Sequence, residues 1–380
     1  MHLHIISFDI PYPANYGGVI DVYYKVRALA KAGVRVHLHC YEYGRPHSAE
    51  LSRICESVHY YLRLPPMLAL PVSRPYIVSS RKSVQLLERL VSLPFPILFE
   101  GLHTCYHLDD PQLATRNKLV RTHNVEGDYY EQLARQEKHW MRRLYFRREA
   151  RLLRQYEPVL AHAAHLLTIS PKDQQYFSGR YGTATYLPAF HAHDSLDIQA
   201  GKGRYCLYHG KLSVAENHRA AMFLIREVFK DLDIPLIIAG ADPLPELITE
   251  TSRYVHITLR HNVGEGEMLD LMRHAHVHVL PTFQDTGIKL KLIHALFSGR
   301  FCITHPEMVR HTGLEEACFV ARSAADFKSL AQQLMQQPFS AAEIDRRRAI
   351  LLPTFSNEDN ALQLIRLIGE PGAMGLSRKE

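Results

Sequence analysis

Residues able to do chemistry gather in this chain where apolar runs give way to glycine. The stretch Phe283-Gln284-Asp285-Thr286-Gly287-Ile288-Lys289-Leu290-Lys291-Leu292-Ile293-His294 follows an apolar strand pattern ending at Leu280 and opens a helical one. On that helix Gly287, Lys291 and His294 stand at i, i+4 and i+7, so N-terminal amides, an ammonium and an imidazole share one face. The helix dipole adds to this positive row, which suits a diphosphate and a ribose. The competing reading is of solvated lysines at 289 and 291 and a core histidine at 294. A second anion-ready loop, Pro11-Tyr12-Pro13-Ala14-Asn15-Tyr16-Gly17-Gly18, follows the first strand pattern, and its paired glycines open a helix. A tight structural turn accounts for two glycines equally well.

The elements that must position these groups alternate along the chain. Strand-like runs and helical patterns follow one another over 4–8, 19–32, 34–41, 79–91, 96–100 and 119–124, and this rhythm predicts a parallel sheet with helices on both faces. The first helix is well marked, with Val19, Val22, Tyr23, Val26, Leu29 and Ala30 at helical spacing and Gly33 as its stop. A long helix is predicted over 126–162, broken at Pro158, before an apolar strand at 166–169. Residues 191–204, with Gly201-Lys202-Gly203, read as a linker. A second alternating series runs from 205 to 304. The fold class is α/β: two doubly wound Rossmann-like domains, at 1–190 and 205–355, with a C-terminal helix and tail at 356–380. Ligands of such sheets bind beyond the carboxyl ends of the strands, so two in tandem predict facing sites across a cleft.

Composition narrows the classes. The 380 residues suit two domains, and 46% hydrophobic with 22% charged residues excludes disorder and a membrane-spanning bundle. No apolar run of about 18 residues and no leader-like opening is found, so a cytoplasmic location is expected. Six cysteines without a C-x-x-C pair read as reduced core thiols. The 24 histidines include His274, His276 and His278, which alternate with Val277 and Val279 in a strand pattern and read as structural rather than as a metal site. A net charge of +6 without a basic, aromatic-interleaved stripe excludes nucleic acid as a partner.

Three stretches carry a resemblance to glycosyltransferase family 4, and more closely to its bacterial branch of envelope and exopolysaccharide sugar transferases. They are the Pro-x-x-x-Gly-Gly loop with the helix ending Ala28-Leu29-Ala30-Lys31-Ala32-Gly33, the segment Arg121-Thr122-His123-Asn124-Val125-Glu126, and the helix from Thr286 to Gly299. Tyr208-His209-Gly210-Lys211-Leu212 and Ile238-Ala239-Gly240 resemble the strand-turn signals of the family's second domain. The resemblance implies the GT-B fold and transfer of a sugar from a nucleotide-sugar, as co-substrate, to a glycan or lipid-linked acceptor. It implies retained anomeric configuration, no cofactor and no obligatory metal. The donor would be held by Gly17, Gly18, Lys211, Thr286, Gly287, Lys291 and His294. His103 and Asp285 are the candidate catalytic residues, and His123, Asn124 and Glu126 would line the cleft. The family's two glutamates, eight residues apart, are replaced here by Thr286 and His294, and its Lys-Asn pair by Glu216-Asn217. A catalytically inactive nucleotide-sugar-binding or scaffold protein of the same fold is therefore the alternative, and a sugar epimerase a third reading.

One further feature concerns partners. From Lys138 to Arg154 seven basic residues sit among Trp140, Met141, Leu144 and Tyr145 on one predicted helix. A narrow apolar stripe flanked by arginines suits peripheral contact with an anionic membrane, while packing of that stripe on the first domain's own sheet is the competing expectation.

Overall fold

The apolar runs form two all-parallel sheets in the computed structural model, which describes residues 1–66, 68, 73–182, 184–283 and 290–369. The chain divides into two compact units, residues 1–190 with 357–380 and residues 191–356. In the first unit, β1 (His2–Ser7), β2 (Arg35–Glu42), β3 (Ser57–Leu62), β4 (Ile97–Glu100), β5 (Lys118–Thr122), β6 (His165–Thr168) and β7 (Ala184–Tyr186) lie in the order β3-β2-β1-β4-β5-β6-β7. In the second, β8 (Tyr205–His209), β9 (Leu236–Gly240), β10 (Ile257–His261), β11 (Ala275–Leu280), β12 (Phe301–Thr304) and β13 (Phe319–Val320) lie in the order β10-β9-β8-β11-β12-β13. Both are doubly wound, with the order reversing beside β1 and β8. Strands β4, β5 and β11 are buried along their whole length, so the polar residues Arg121, His276 and His278 on them are buried with their apolar neighbours.

The first unit's core joins Ile6, Tyr41, Phe99, Val120 and Leu166 to the helix residues Leu86, Leu90 and Leu153. The second unit's core gathers Tyr208, Ile238, Val279, Leu296 and Phe327. The Asn357–Gly369 helix returns to the first unit, where Asn117 donates to the Ile368 carbonyl at 2.8 Å. All six cysteines are free thiols, five of them buried.

The helix predicted over 126–162 is two helices, Glu126–Gln136 and Trp140–Tyr156, with Pro158 in a following 3-10 turn. The break comes from a glutamate. Glu137 turns to extended backbone and its carboxylate accepts the His139 N–H at 2.8 Å, so a side chain satisfies a donor that the helix ladder would otherwise hold. The two helices then pack closely: a Cβ on Gly127 would lie 2.5 Å from Arg154 Cγ and 3.4 Å from the Ala150 carbonyl. The Trp140–Tyr156 helix buries Glu149, Ala150 and Leu153, and its other face leaves Trp140 65%, Met141 55% and Leu144 61% exposed. The apolar stripe is therefore not packed on the sheet.

Histidines cover part of the first sheet. Neighbouring parallel strands place His2 and His4 beside His37 and His39, with His59 and Tyr61 next. The Tyr61 hydroxyl reaches His39 Nδ1 at 2.8 Å, His39 Nε2 reaches His4 Nδ1 at 2.9 Å, and His4 Nε2 reaches the Leu93 carbonyl at 3.1 Å. Because a carbonyl only accepts, His4 carries its proton on Nε2, and the chain runs in one direction with both imidazoles neutral. His276 has a similar structural role: it accepts the Gly203 N–H at 2.9 Å and donates to the Leu334 and Gln337 carbonyls.

Candidate active site

Two groups of polar residues stand beyond the strand ends, one in each unit. In the first unit the Gly17–Lys31 helix begins without a side-chain cap, and a Cβ on Gly18 would fall 2.6 Å from Phe8 Cζ. Gly18 is thus fixed by packing against Phe8, and Gly17 opens the helix beside it. The Phe8 ring also meets His103, centroids 5.9 Å apart, and the edge of His123 at 5.5 Å.

His103 follows β4 on a short 3-10 turn set off by Gly101, whose φ of 75° is one that side chains avoid. Burial, with Arg81, His123 and Arg63 adding to it, holds the His103 imidazole well below its ordinary pKa, so it is neutral. Its Nδ1 meets no partner, and its Nε2 lies 3.8 Å from Glu126 Oε2. Glu126 is buried at the first turn of its helix, Oε1 is unpartnered, and burial pushes the carboxyl up to about 8 against a hydrogen bond from Asn124. At neutral pH it is an uncharged acid able to donate.

His123 leads inward instead, its Nε2 3.1 Å from Glu100 Oε2. Glu100 Oε2 in turn accepts from Lys25 Nζ at 3.1 Å, Lys25 donates to Asp21 at 2.9 Å, and Asp21 takes two hydrogen bonds from Arg121 at 3.0 and 2.9 Å. Burial alone would raise both carboxyls. Arg121 and Lys25 hold Asp21 far below the usual carboxylate range, and Lys25 and His123 lower Glu100. Ligand atoms of Asp21, Glu100 and His123 lie within 4.8 Å of one another, a spacing that could hold a metal ion. The Lys25 ammonium already neutralises that position, so these groups fit an internal ion network better than a metal centre. The network also ties down the end of the unit: Asp21 accepts the Phe190 N–H at 2.8 Å and Arg121 donates to the Pro188 carbonyl at 2.9 Å.

In the second unit the polar groups stand after β8 and β11. Lys291, on the Leu290–Ser298 helix, donates to Asn217 Oδ1 at 2.6 Å and approaches the Tyr208 hydroxyl at 3.4 Å, its ammonium 5.2 Å from the Tyr208 ring centre. Asn217 also donates to the Lys211 carbonyl at 2.9 Å, tying the turn after β8 to this helix. His294 follows almost one turn later, half-buried, with its ring edge-on to His193 at 5.0 Å and Nε2 unpartnered. Burial draws its pKa down to about 4. Lys211 is more than half exposed and reaches Asp242 at 3.6 Å, so it stands apart from Lys291. Asp285, Thr286 and Gly287 lie outside the described residues. The approach to them is held by Glu216, whose carboxylate accepts from the Thr282 hydroxyl and the Phe283 N–H, each at 2.7 Å.

Sequence reasoning put Lys291 and His294 on one helix and named His103, His123 and Glu126 as cleft residues; the structure sets Lys291 against Asn217, and His103 within 3.8 Å of Glu126. Sequence reasoning missed Tyr208, the anchoring role of Glu216, and the network of Asp21, Lys25, Glu100 and Arg121. The i, i+4 spacing of Asp21 and Lys25 on the first helix is the one signal of that network in the sequence.

Comparison with known proteins bears on the fold and on the second unit. Residues 203–337, within the second unit, match the profile of the family described as glycosyl transferases group 1. An uncharacterized 44.6 kDa protein in the cps region of Klebsiella pneumoniae is 24% identical over 321 residues, covering 79% of this chain and 81% of that protein. Among solved structures, HepE of Anabaena in complex with UDP and glucose superposes with a TM-score of 0.65 at 10% identity, over 97% of this chain and 99% of that one. WaaG, a glycosyltransferase involved in lipopolysaccharide biosynthesis, gives 0.62 at 12% identity over 98% and 100%. The chain has the GT-B fold of glycosyltransferases, and residues 203–337 of its second unit are similar to the glycosyl transferases group 1 family.

Proposed function

We propose that this protein transfers a sugar from a nucleotide-sugar donor to a glycan or lipid-linked acceptor, with retention of configuration and without an obligatory metal. The observation that carries the proposal is Lys291, held by Asn217 and Tyr208 on the Leu290–Ser298 helix, within the region that matches the group 1 family. An ammonium fixed in advance by hydrogen bonds suits the charge that develops on a departing diphosphate, and such preorganised groups supply a large share of a barrier's reduction. Lys211 and the amides around Gly287 would add to it, and His294 would offer Nε2 to a ribose hydroxyl. The unpartnered Nδ1 of His103 would face the transferred sugar.

The alternative, a nucleotide-sugar-binding protein without turnover, is favoured by Thr286 and His294 standing where the resembling family has glutamates. A mass-spectrometric screen of UDP-, GDP- and TDP-sugars separates the two. Transfer or donor hydrolysis is expected with one of them; tight binding without either supports the alternative.

The exposed Trp140, Met141 and Leu144, flanked by Arg142, Arg143 and Arg147, support peripheral contact with an anionic membrane from the cytoplasmic side. Each basic residue near such a surface adds about 1 kcal/mol. Among the described residues no helix is long and apolar enough to cross a membrane. Co-sedimentation with anionic but not neutral vesicles at low salt is expected, and recovery in the supernatant with both refutes the contact.

A further inference from the structure

Arg81 places an unbalanced charge inside the first unit. The residue is 4% exposed, and its guanidinium donates to the carbonyls of Ile77 and Phe8, the latter at 2.9 Å, and leaves Nε without an acceptor. No carboxylate of the described residues forms an ion pair with it. The nearby Asp9 is engaged elsewhere, accepting the Ile10 N–H and the Tyr16 hydroxyl, both at 2.8 Å. Buried charges are ordinarily paired, because removing an ion from water costs several kcal/mol that carbonyl dipoles offset only in part.

A second guanidinium stands beside it. Arg63 Nε donates to the hydroxyl of Ser80, the residue preceding Arg81, at 2.9 Å. Its plane is flanked by the rings of Tyr43 and Tyr76, at 4.4 and 5.0 Å. Half-buried in this way, it keeps its two terminal nitrogens free of hydrogen bonds and ion pairs with described residues. The groups beneath do not compensate. His103 is neutral, its imidazole suppressed by burial and then by these same arginines, and Glu126 keeps its proton at neutral pH. The Phe8 residue whose carbonyl Arg81 holds is the one whose ring packs on His103, so the arginines and the strand-end groups belong to one neighbourhood.

We infer that Arg63 and Arg81 form an anion-recognition site for an acidic group, a carboxylate or a phosphate, carried by the sugar acceptor. A guanidinium with two free terminal nitrogens matches either anion in a two-point fork, and one held between aromatic rings loses little freedom on binding. Arg81 contributes field rather than contact: an anion at Arg63 also balances the buried charge beside it. This assignment rests on the glycosyltransferase reading only in calling the ligand an acceptor; the site itself is a property of the first unit.

The test is calorimetric titration of the full chain at pH 7 with glucuronate, inorganic phosphate and, as the neutral control, glucose. At least one anion is expected to bind where glucose does not, with affinity falling tenfold or more in Arg63→Gln and recovering in part in Arg63→Lys, which keeps the charge but not the fork. Binding of glucuronate alone points to a uronic acid acceptor, and of phosphate alone to a phosphorylated or lipid-phosphate one. Equal affinities in wild type and Arg63→Gln, or no binding of either anion, overturn the site. Nucleoside diphosphate titrated into the same proteins reports separately on the donor reading, so loss of one binding event with survival of the other identifies which proposal has failed.

Discussion

The two units place cations at equivalent ends of their sheets and treat them differently. At the ends of β4 and β5 of the first unit, Lys25 and Arg121 are buried and bound to carboxylates of the same chain, so most of their charge goes to holding Asp21, Glu100 and the segment that ends at Phe190. Beyond β8 and β11 of the second, Lys291 is oriented by an amide oxygen and a hydroxyl, groups that fix a direction without cancelling a charge. The same residue types serve cohesion in one unit and recognition in the other, and what decides is the neighbour, not the lysine. At Arg63 and Arg81 the first unit instead holds guanidinium groups that form no ion pair with a described carboxylate.

Removing one member of the internal network is the severest way to break that contrast. Asp21→Ala leaves Arg121 and Lys25 buried with a partner gone, a class of change that costs about 3–5 kcal/mol. Denaturant unfolding is expected to show a loss of that size, and a loss below about 1 kcal/mol would mean that the network is solvated and not structural.

Acid attacks the first unit next. His4 titrates near 4 in the fold, chiefly because it is buried, against 6.5 in an unfolded chain. Between those values the unfolded state binds the extra proton, so the stability His4 contributes is intact above pH 6.5 and is lost as pH falls toward 4, on the order of 3 kcal/mol in all. His39 is depressed in the same sense and for the same reason. Unfolding midpoints measured from pH 7.5 to 4.5 should therefore fall, and His39→Gln should flatten the slope. An unchanged slope would show that the His4–His39–Tyr61 chain is not what the proton breaks.

The second unit should respond to charge removal by losing ligand, not stability. Lys291→Ala is expected to weaken nucleoside diphosphate binding by about 1.5–3 kcal/mol, the range for a charge-assisted contact. Lys211→Ala, at an exposed and Asp242-paired position, should cost about 1 kcal/mol or less. Calorimetry on both variants sharpens the comparison, because a reversed order would make the turn after β8 the principal phosphate contact.

How much of this was legible beforehand follows the same division. The alternation of strand and helix patterns made both doubly wound sheets visible in the sequence, as was the helix that carries Lys291 and His294. The break at Glu137 was not, because it depends on one carboxylate reaching back to the His139 N–H. The histidine chain depends on register across β1, β2 and β3, and the ion network on four segments meeting at a strand end; neither spacing nor composition encodes such meetings. The exposed face of Trp140, Met141 and Leu144 could be drawn as a stripe, but whether it packs is a tertiary fact.

The smallest expected effect concerns His294, whose imidazole an ordinary pKa would place in titration between pH 5 and 8. Burial draws it to about 4, so it remains neutral throughout that range and offers one donor and one acceptor. A nucleoside diphosphate itself changes charge near pH 6, since its terminal phosphate titrates there, and its affinity should follow pH on that account alone. The informative quantity is therefore a difference. The ratio of wild-type to His294→Gln affinity is expected to stay constant from pH 5 to 8, with the variant weaker by roughly 0.5–1.5 kcal/mol, the scale of a neutral hydrogen bond. A ratio that grows toward pH 5 would mean that His294 is protonated on binding, and that an incoming diphosphate raises its pKa across the working range. A ratio of one at every pH would return His294 to a packing role beside His193, leaving Lys291 to carry recognition on this helix.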